Sequence, residues 1–274
     1  MELNTSGVIP DDTPIWRYMD LTKFVWTLDT GCLRFAKLVS CEDPYEGLCK
    51  AVRREVPPDD RGPKLIRHED RHGTRMQSLA EMGAWISHLS ADSYEAAPER
   101  LFVNSWCLGD ESMAMWEIYG SRAGGVAIKS SVGQYRQSAS FGVPEWHYTF
   151  RRVEYHQDLT SSSETRLDLS QGPIPVPGPG LCEKILGVAF HKRACYEHER
   201  ESRAALYQDP RPEAGIGIEF DLDKLIGAVY VGPRSEPFFL DVVESIMNKF
   251  GLSKPLDRSP LLYPPQKVNS ASAG

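Results

Sequence analysis

The sequence predicts an α+β fold, and two observations carry that prediction. Short β-prone runs and helical apolar periodicities are mixed along the chain, without the regular strand–helix–strand alternation that builds a doubly wound sheet. In addition, no Gly-x-Gly-x-x-Gly follows a predicted strand, and no phosphate-binding P-loop occurs, which argues against both nucleotide-binding motifs. The pattern therefore favours strands and helices arranged around one compact core.

The predicted elements follow the chain in a mixed order. In the first half, strands are predicted at 15–19, 33–36, 101–108 and 125–131, and helices at 23–29, 77–89 and 110–119. In the second half, we predict a strand at 146–155, a helix at 182–192, two β-rich runs within 215–232 and a terminal helix at 236–250. Thr22 is the predicted cap of the first helix and Gly31 its stop, while Asp110 or Ser112 lies near the cap of the helix at 110–119.

Composition predicts how the chain is divided. A length of 274 residues is long for one domain and short for two, so one domain is predicted over 15–262. A flexible N-terminus (1–14) and a disordered tail (263–274) flank it. Within the domain, the charged, proline-containing segment 53–75 predicts an exposed excursion. The Ser-, Pro- and Gly-rich segment 161–180 predicts a mobile surface loop.

The bulk numbers exclude some classes of function. Hydrophobic residues make up 41% of the chain and charged residues 25%, which supports a sizeable core. A net charge of −7 argues against broad electrostatic attachment to nucleic acid or an anionic membrane. No apolar run resembles a secretory signal or is long enough to span a bilayer. The six cysteines lack C-x-x-C spacing, so we expect reduced thiols and a cytoplasmic location.

The charged run Tyr-Glu-His-Glu-Arg-Glu-Ser-Arg at 196–203 is the first candidate for chemistry. On a strand, Glu197, Glu199, Glu201 and Arg203 would project from one face, with alternate residues about 6.6 Å apart. Carboxylates that close repel each other, so ionising all of them needs water or a cation such as Arg203 nearby. One of them would then carry a raised pKa suited to acid–base catalysis. On a helix, Glu199 and Arg203 would instead form an ordinary ion pair on a solvated face. The spacing alone leaves both interpretations open.

Two other regions contribute candidate residues. Trp116 and Tyr119 lie three residues apart and share one face of the predicted helix at 110–119, a spacing that core packing also produces. The strand predicted after it ends in Ser130 and Ser131. Arg17, on the first predicted strand, would by itself be an ordinary surface charge.

Taken together, these strings resemble the family catalogued as domain of unknown function number 2971, over roughly residues 15–262. The resemblance is carried by Arg-Tyr-Met at 17–19, Leu-Arg-Phe at 33–35, Asp-Pro-Tyr-Glu at 43–46, Met-Trp-x-x-Tyr at 115–119, Gly-Val-Ala-Ile at 125–128 and Glu-x-Glu-x-Arg at 199–203. Two positions depart from the family pattern. Tyr196 stands where the family often has Trp, and Cys41-Glu42 replaces Phe-Asn before the Asp-Pro. Neither change removes a charged position, but both bear on the shape of a pocket.

A more distant similarity implies an activity. The order Arg17, Ser130-Ser131 at a strand end, then Glu199-x-Glu201 resembles the arginine, serine, glutamate layout of ADP-ribosyltransferases. Those enzymes hold NAD in a cleft of a split α+β sheet. The resemblance therefore implies a single domain with a split, mixed or antiparallel sheet flanked by helices, and NAD as the substrate that supplies ADP-ribose.

The same resemblance implies roles for individual residues. It places Arg17 on the phosphates or ribose of the cofactor, Ser130 as a brace for the strand and the glutamate, one of Tyr18, Trp116 and Tyr119 on the nicotinamide, and Ser131 and Arg203 within the cofactor site. Glu201 would hydrogen-bond a ribose hydroxyl and stabilise the positive charge left when nicotinamide departs. Glu199 would orient or deprotonate the acceptor. Both glutamate roles require a strand at 199–201.

Two other classes of function stay open. A metal-dependent hydrolase is suggested by the H-x3-C-x2-H spacing of His191, Cys195 and His198, and by the pair His68 and His72. Neither cluster supplies a complete ligand set, so no metal site is predicted. The chain could also be a non-catalytic module that binds a nucleotide or a protein partner. The sequence names neither the acceptor nor the oligomeric state.

Overall fold

The computed structural model describes residues 9–52, 94–120, 124–139, 148–160, 166–168, 179–208 and 212–264. Its strands are β1 (Pro14–Asp20), β2 (Cys32–Lys37), β3 (Lys50–Val52), β4 (Leu101–Leu108), β5 (Gly125–Ser131), β6 (Tyr148–Arg152), β7 (Glu154–His156), β8 (Arg166–Asp168), β9 (His191–Arg193), β10 (Glu201–Tyr207), β11 (Gly215–Glu219), β12 (Ala228–Val231) and β13 (Leu256–Arg258). Its α-helices are α1 (Leu21–Thr30), α2 (Ala97–Arg100), α3 (Met113–Tyr119), α4 (Val132–Ser138), α5 (Pro179–Gly187), α6 (Leu222–Leu225) and α7 (Pro237–Lys249). Short 3-10 helices cover Leu38–Ser40, Val188–Phe190, Ala194–Glu199 and Pro260–Leu262. The predicted α+β class is confirmed.

The chain separates into two compact units. The first unit comprises Met1–Ile9, Leu33–Trp106 and Ser140–Ile218. The second unit comprises Pro10–Cys32, Cys107–Ala139 and Glu219–Gly274. Each unit has its own apolar cluster. The domain bounds of 15–262 stay a prediction.

In the first unit, pairing places β2 between β11 and β4, and β10 between β4 and β6. The β10–β6 pair is antiparallel, with Arg203 opposite Arg151. Two small parallel ribbons, β3–β8 and β7–β9, also belong to this unit. The apolar side chains that pack together behind these elements include Leu38, Leu101, Val103, Leu181, Ile185, Leu186, Val188, Phe190 and Ala205.

In the second unit, β1 runs antiparallel to β5 along its whole length, and its start also pairs with the end of β4. Strand β12 pairs antiparallel with β5 and parallel with β13, so the pairing is mixed, as predicted. Helix α1 follows β1 directly and ends at Gly31, whose φ of +66° is a left-handed conformation that glycine adopts without steric cost. The predicted stop of this helix is confirmed.

Most predicted elements occur where the pattern places them. The strands expected at 15–19, 33–36, 101–108 and 125–131 are β1, β2, β4 and β5, and the two β-rich runs within 215–232 are β11 and β12. The terminal helix expected at 236–250 is α7. Ser112 caps α3 by accepting the backbone N–H of Met115, which confirms one of the two predicted caps.

Three local predictions are wrong. Asp20, not Thr22, caps α1: its carboxylate accepts the N–H of Lys23 at 2.8 Å from an extended backbone position just before the helix. The helix expected at 182–192 ends at Gly187, and β9 begins at His191. The strand expected at 146–155 is divided into β6 and β7 by Val153, whose N–H binds the carbonyl of Glu201.

Several predictions fall wholly or partly outside the described residues. They concern the excursion at 53–75, the helix at 77–89, positions 1–8 of the N-terminus and the tail from 265. Of the loop expected at 161–180, the structure describes 166–168 and 179–180, which lie in β8 and at the start of α5 instead of in irregular chain. All six cysteines are free thiols. Within the described ranges, no helix has the length and apolar character needed to cross a membrane.

Candidate active site

Five charged side chains of the first unit meet in one buried group, here called the carboxylate cluster. Its members are Glu46, Lys192, Glu199, Glu201 and Arg203, and their side chains are between 2% and 6% exposed. Charged groups are seldom buried this completely unless opposite charges and hydrogen bonds compensate the lost hydration. Ion pairs and hydrogen bonds among the five side chains supply that compensation.

Arg203 holds Glu201 from one side of the cluster. Both residues lie on β10 two positions apart, so their side chains share a face of the strand, as predicted. Arg203 Nε donates to Glu201 Oε1 at 2.6 Å, and Nη2 donates to Oε2 at 2.9 Å. The hydroxyl of Ser105 donates a further hydrogen bond to the same carboxylate. This paired geometry is the strong form of an arginine–carboxylate contact.

The electrostatics of Glu201 differ from the sequence-based expectation. Burial alone would raise the pKa of Glu201, but the charges of Arg203 and Lys192 outweigh burial and lower the pKa to about 2. The raised pKa expected for one of the carboxylates is therefore not that of Glu201, because Arg203 and Lys192 both lie beside it. Glu201 is ionised at neutral pH.

Lys192 links the three carboxylates of the cluster. Its Nζ lies 2.5 Å from Glu199, 3.1 Å from Glu46 and 3.4 Å from Glu201. An ammonium group has three donors, which matches three acceptors around it. Burial would lower the pKa of Lys192, but the neighbouring carboxylates outweigh that effect and raise the pKa above its usual value. Lys192 is therefore a fixed positive charge.

Glu46 leaves the cluster with an excess of negative charge. Its Oε2 is 2.9 Å from Arg203 Nη2, yet it accepts no hydrogen bond from the residues that the structure describes. Counting formal charges, three carboxylates against two cations give −1. The nearby thiol of Cys41 reflects this surplus, because burial and then the charge of Glu46 raise its pKa to about 12.

The backbone brings Glu199 and Glu201 together by a route that strand alternation did not predict. Glu199 is the last residue of a 3-10 helix, Arg200 has a left-handed φ of +45°, and Glu201 begins β10. The strand interpretation therefore holds for Glu201 and Arg203 but is wrong for Glu197 and Glu199, which lie on the 3-10 helix. The strand at 199–201 that both glutamate roles were expected to require is not formed. The α-helical pair between Glu199 and Arg203 is wrong as well. The two glutamates converge because both bind Lys192.

The β7–β9 ribbon positions the lysine. Its parallel register pairs Tyr155 with Lys192. Lys192 belongs to the cluster, and Tyr155 contacts the backbone of Glu201. The Tyr155 hydroxyl accepts the backbone N–H of Glu201 at 2.9 Å, which fixes the start of β10. Burial raises the pKa of Tyr155 to about 12, so this hydroxyl stays protonated. No spacing rule in the sequence connects the ribbon with Glu201, and Lys192 was not predicted as a site residue.

A half-exposed rim borders the cluster. Arg193 binds Asp43 through two nitrogens at 2.8 and 3.2 Å, and its guanidinium lies 4.5 Å from the ring centre of Tyr45. Tyr196 lies beside both cations, with its ring centre 4.6 Å from Lys192 and 5.6 Å from Arg193. Asp43, Tyr45 and Glu46 belong to one of the strings that carry the family resemblance, and that string was the sole signal for them.

The aromatic residues expected to stack on nicotinamide lie in the second unit. Tyr18 and Trp116 meet edge to face with ring centres 5.0 Å apart, in an aromatic cluster that also contains Trp16. The Tyr18 hydroxyl accepts the N–H of Ser112 at 2.8 Å, and Trp116 Nε1 donates to Glu111 at 2.7 Å. Trp116 is buried, while Tyr119 is 44% exposed, so these two do not share a core-facing side of α3.

The predicted serines also have local partners in the second unit. Ser130 is buried, and its hydroxyl donates to the carbonyl of Leu225 at 2.5 Å. Ser131 caps α4 by accepting the N–H of Gln134. Arg17 is half-buried on β1, opposite Ile128 of β5. The cofactor roles expected of these residues stay predictions.

The histidine-rich spacing at 191–198 does not form a metal site. Cys195 and His198 are exposed, and the ring Nδ1 of His198 lies 3.2 Å from the carbonyl of Cys195. His191 is grouped instead with Glu154 and His156 of β7, with their ligand atoms within 4.8 Å of one another. The pair His68 and His72 lies outside the described residues.

Comparison with known proteins gives limited similarity. No family model matches the chain, so the resemblance to the family of unknown function is not confirmed, and no curated protein matches it. The chain is similar to the DarT protein of Thermus sp. 2.9 in complex with carba-NAD+, with 12% identity, a TM-score of 0.36, and coverage of 91% of this chain and 96% of that chain. It is also similar to the same DarT in complex with ADP-ribosylated single-stranded DNA, with 11% identity, a TM-score of 0.38, and coverage of 92% and 96%. These scores are too low to support an assignment.

Proposed function

We propose that this chain cleaves the bond between nicotinamide and ribose in NAD and transfers ADP-ribose to an acceptor, with the carboxylate cluster as its catalytic centre. The observation that carries the proposal is the charge of the cluster. Three carboxylates face two cations, and Glu201 is ionised and held on both oxygens. A fixed negative charge in a site that excludes water stabilises a developing positive charge far better than a solvated one does.

The reaction that fits this charge passes through an oxocarbenium-like sugar. Nicotinamide leaves with the electron pair of its bond to the ribose, and the positive charge on the pyridinium ring moves to the sugar. The acceptor then forms a bond to the same carbon and loses a proton. Glu199 is the proposed base, because its carboxylate meets that of Glu201 at Lys192 although no strand joins the two residues. With water as acceptor, the products are ADP-ribose, nicotinamide and one proton.

The contacts of Glu201 indicate how a ribose hydroxyl would bind. Two donors of Arg203, the hydroxyl of Ser105 and the ammonium of Lys192 fill the roughly four acceptor positions of a carboxylate. The Lys192 contact, at 3.4 Å, is longer than either Arg203 contact, and Lys192 keeps Glu199 and Glu46 as partners without it. A ribose hydroxyl would therefore replace Lys192 on Glu201.

The residues of the second unit enter the proposal through the sequence resemblance. Arg17, Ser130 and Ser131 are proposed for the cofactor. Of the aromatic candidates, Tyr119 offers the most exposed ring, since Tyr18 and Trp116 are buried. Tyr119→Ala tests its part directly, because loss of a stacking partner raises the KM for NAD without changing the charge of the cluster.

The experiment is nicotinamide release from NAD by purified protein, with water and then added acceptors, including single-stranded DNA. Glu199→Gln and Glu201→Gln are compared with Glu197→Gln, an exposed glutamate on the same 3-10 helix as Glu199. We expect release by the wild type and the Glu197 variant, and at least a hundredfold loss in the other two. Melting curves of each variant separate loss of activity from loss of folding.

Two results would refute the proposal. One is a folded wild type that releases no nicotinamide and shows no NAD binding by calorimetry. The other is a folded Glu199→Gln variant that releases nicotinamide at the wild-type rate, since the cluster would then not supply the base.

A further inference from the structure

The β7–β9 ribbon presents a second group of ionisable side chains on its other face. Because side chains alternate along a strand, Tyr155 and Lys192 point to the carboxylate cluster, while Glu154, His156 and His191 lie on the opposite face. His156 Nε2 and His191 Nδ1 are 3.0 Å apart, and Glu154 Oε2 is 3.9 Å from His191 Nδ1. We propose that these three residues bind a zinc ion.

The distances suit a zinc ion after a small adjustment. With zinc–nitrogen bonds of about 2.0–2.1 Å and a tetrahedral angle, two histidine nitrogens would be about 3.3–3.4 Å apart. The observed 3.0 Å needs an opening of only a few tenths of an ångström. The carboxylate of Glu154, 3.9 Å from His191 Nδ1, has to move inward by about half an ångström or more. Two imidazoles and one carboxylate are an established ligand set for zinc with an open fourth position.

The two histidines already point ring nitrogens at each other. One nitrogen must carry the proton that the other accepts, so the pair holds one proton where a metal ion would sit. Zinc binding replaces that proton with two metal–nitrogen bonds and releases it to solvent. The Glu154 side chain is 65% exposed, so an ion can enter from solution and keep a water as its fourth ligand.

One cation on this face, Arg193, does not oppose binding. Arg193 follows His191 by two residues and therefore lies on the same face of β9. Its guanidinium is drawn away by two contacts to Asp43 and packs against the ring of Tyr45. The negative charge of Glu154 then faces the histidine pair.

A bound zinc would join β7 to β9 and so fix the strand that carries Lys192. The three ligands contribute no atom to the carboxylate cluster. Zinc binding is therefore separable from NAD cleavage, and the inference does not rest on the proposed function.

The test measures zinc binding by the full chain, freed of any histidine tag. Equilibrium dialysis against zinc chloride with a competing chelator gives the stoichiometry and affinity. We expect one zinc per chain for the wild type, and at least a tenfold loss of affinity for His156→Ala and Glu154→Gln. His198→Ala is the matched control: it removes an exposed histidine seven residues from His191 and should bind as the wild type does.

A second measurement keeps the test valid if a histidine variant fails to fold. Cobalt chloride replaces zinc, and a four-coordinate site with histidine and carboxylate ligands gives visible absorption that Glu154→Gln, at an exposed position, should change. Wild-type protein that binds no zinc beyond a nonspecific background would overturn the proposal. Binding that survives in His156→Ala but is lost in His198→Ala would do so as well.

Discussion

The carboxylate cluster of the first unit and the aromatic cluster of the second unit both contain residues that the sequence marked as candidates, yet different forces hold them together. In the first, ionic contacts of 2.5 to 3.4 Å bind five side chains into one network. In the second, ring centres lie 5.0 to 6.2 Å apart, and the polar ring atoms of Trp16, Tyr18 and Trp116 are hydrogen-bonded. Removing either cation of the first group leaves buried carboxylates uncompensated, whereas a substitution in the second group removes single contacts.

Arg203→Ala is expected to have the largest effect on stability. It leaves Glu46, Glu199 and Glu201 buried with only Lys192 to balance them, and breaking a buried ion pair in this way costs about 3–5 kcal/mol. The measurement is the free energy of unfolding in urea at pH 7. Arg136→Ala is the control in the second unit, since its ion pair with Asp11 is exposed and contributes about 1 kcal/mol or less. Equal losses in the two variants would show that the buried ion pairs stabilise the chain no more than the exposed pair does.

Acid should weaken the carboxylate cluster in a predictable range. The pKa of Glu201 is lowered from 4.5 to about 2 in the folded chain, so its stabilising effect is complete above pH 4.5 and is lost as the pH falls towards 2. The full effect corresponds to about 3 kcal/mol. Unfolding free energies measured between pH 7 and pH 3 should fall less steeply for Glu201→Gln than for Glu197→Gln. Parallel slopes in the two variants would show that Glu201 does not contribute.

The same contrast explains what the sequence could predict. Periodicity and turn residues located β1, β2, β4 and β5, because those patterns are local. The prediction for α1 misplaced only its cap, which Asp20 provides instead of Thr22. Glu199, Glu201 and Arg203 stood out as a charged run, and their side chains do meet in one buried cluster.

Lys192 and Glu46 were not predicted as site residues, because their role depends on contacts distant in sequence. Lys192 was expected inside a helix, and it reaches Glu46 across 146 positions of the chain. The direction of the pKa shift of Glu201 could not be predicted either, since it depends on where Arg203 and Lys192 lie relative to the carboxylate. Local sequence patterns carry no information on such contacts, because the contacts form only when the strands pair in the folded chain.

Tyr18→Phe is expected to have the smallest of these effects, and it probes the aromatic cluster without creating a cavity. The change removes one oxygen, which accepts the N–H of Ser112 at 2.8 Å, and keeps the ring that packs against Trp116. A partly buried N–H that loses its acceptor costs about 1–2 kcal/mol. Tyr119→Phe, on an exposed ring, should stay within about 0.5 kcal/mol of the wild type.

Because Tyr18 contributes no charge, the stability lost in Tyr18→Phe should be the same at pH 7 and pH 4, unlike the stability lost in Glu201→Gln. A Tyr18 effect that grows with acid would mean that this cluster, too, depends on ionised groups.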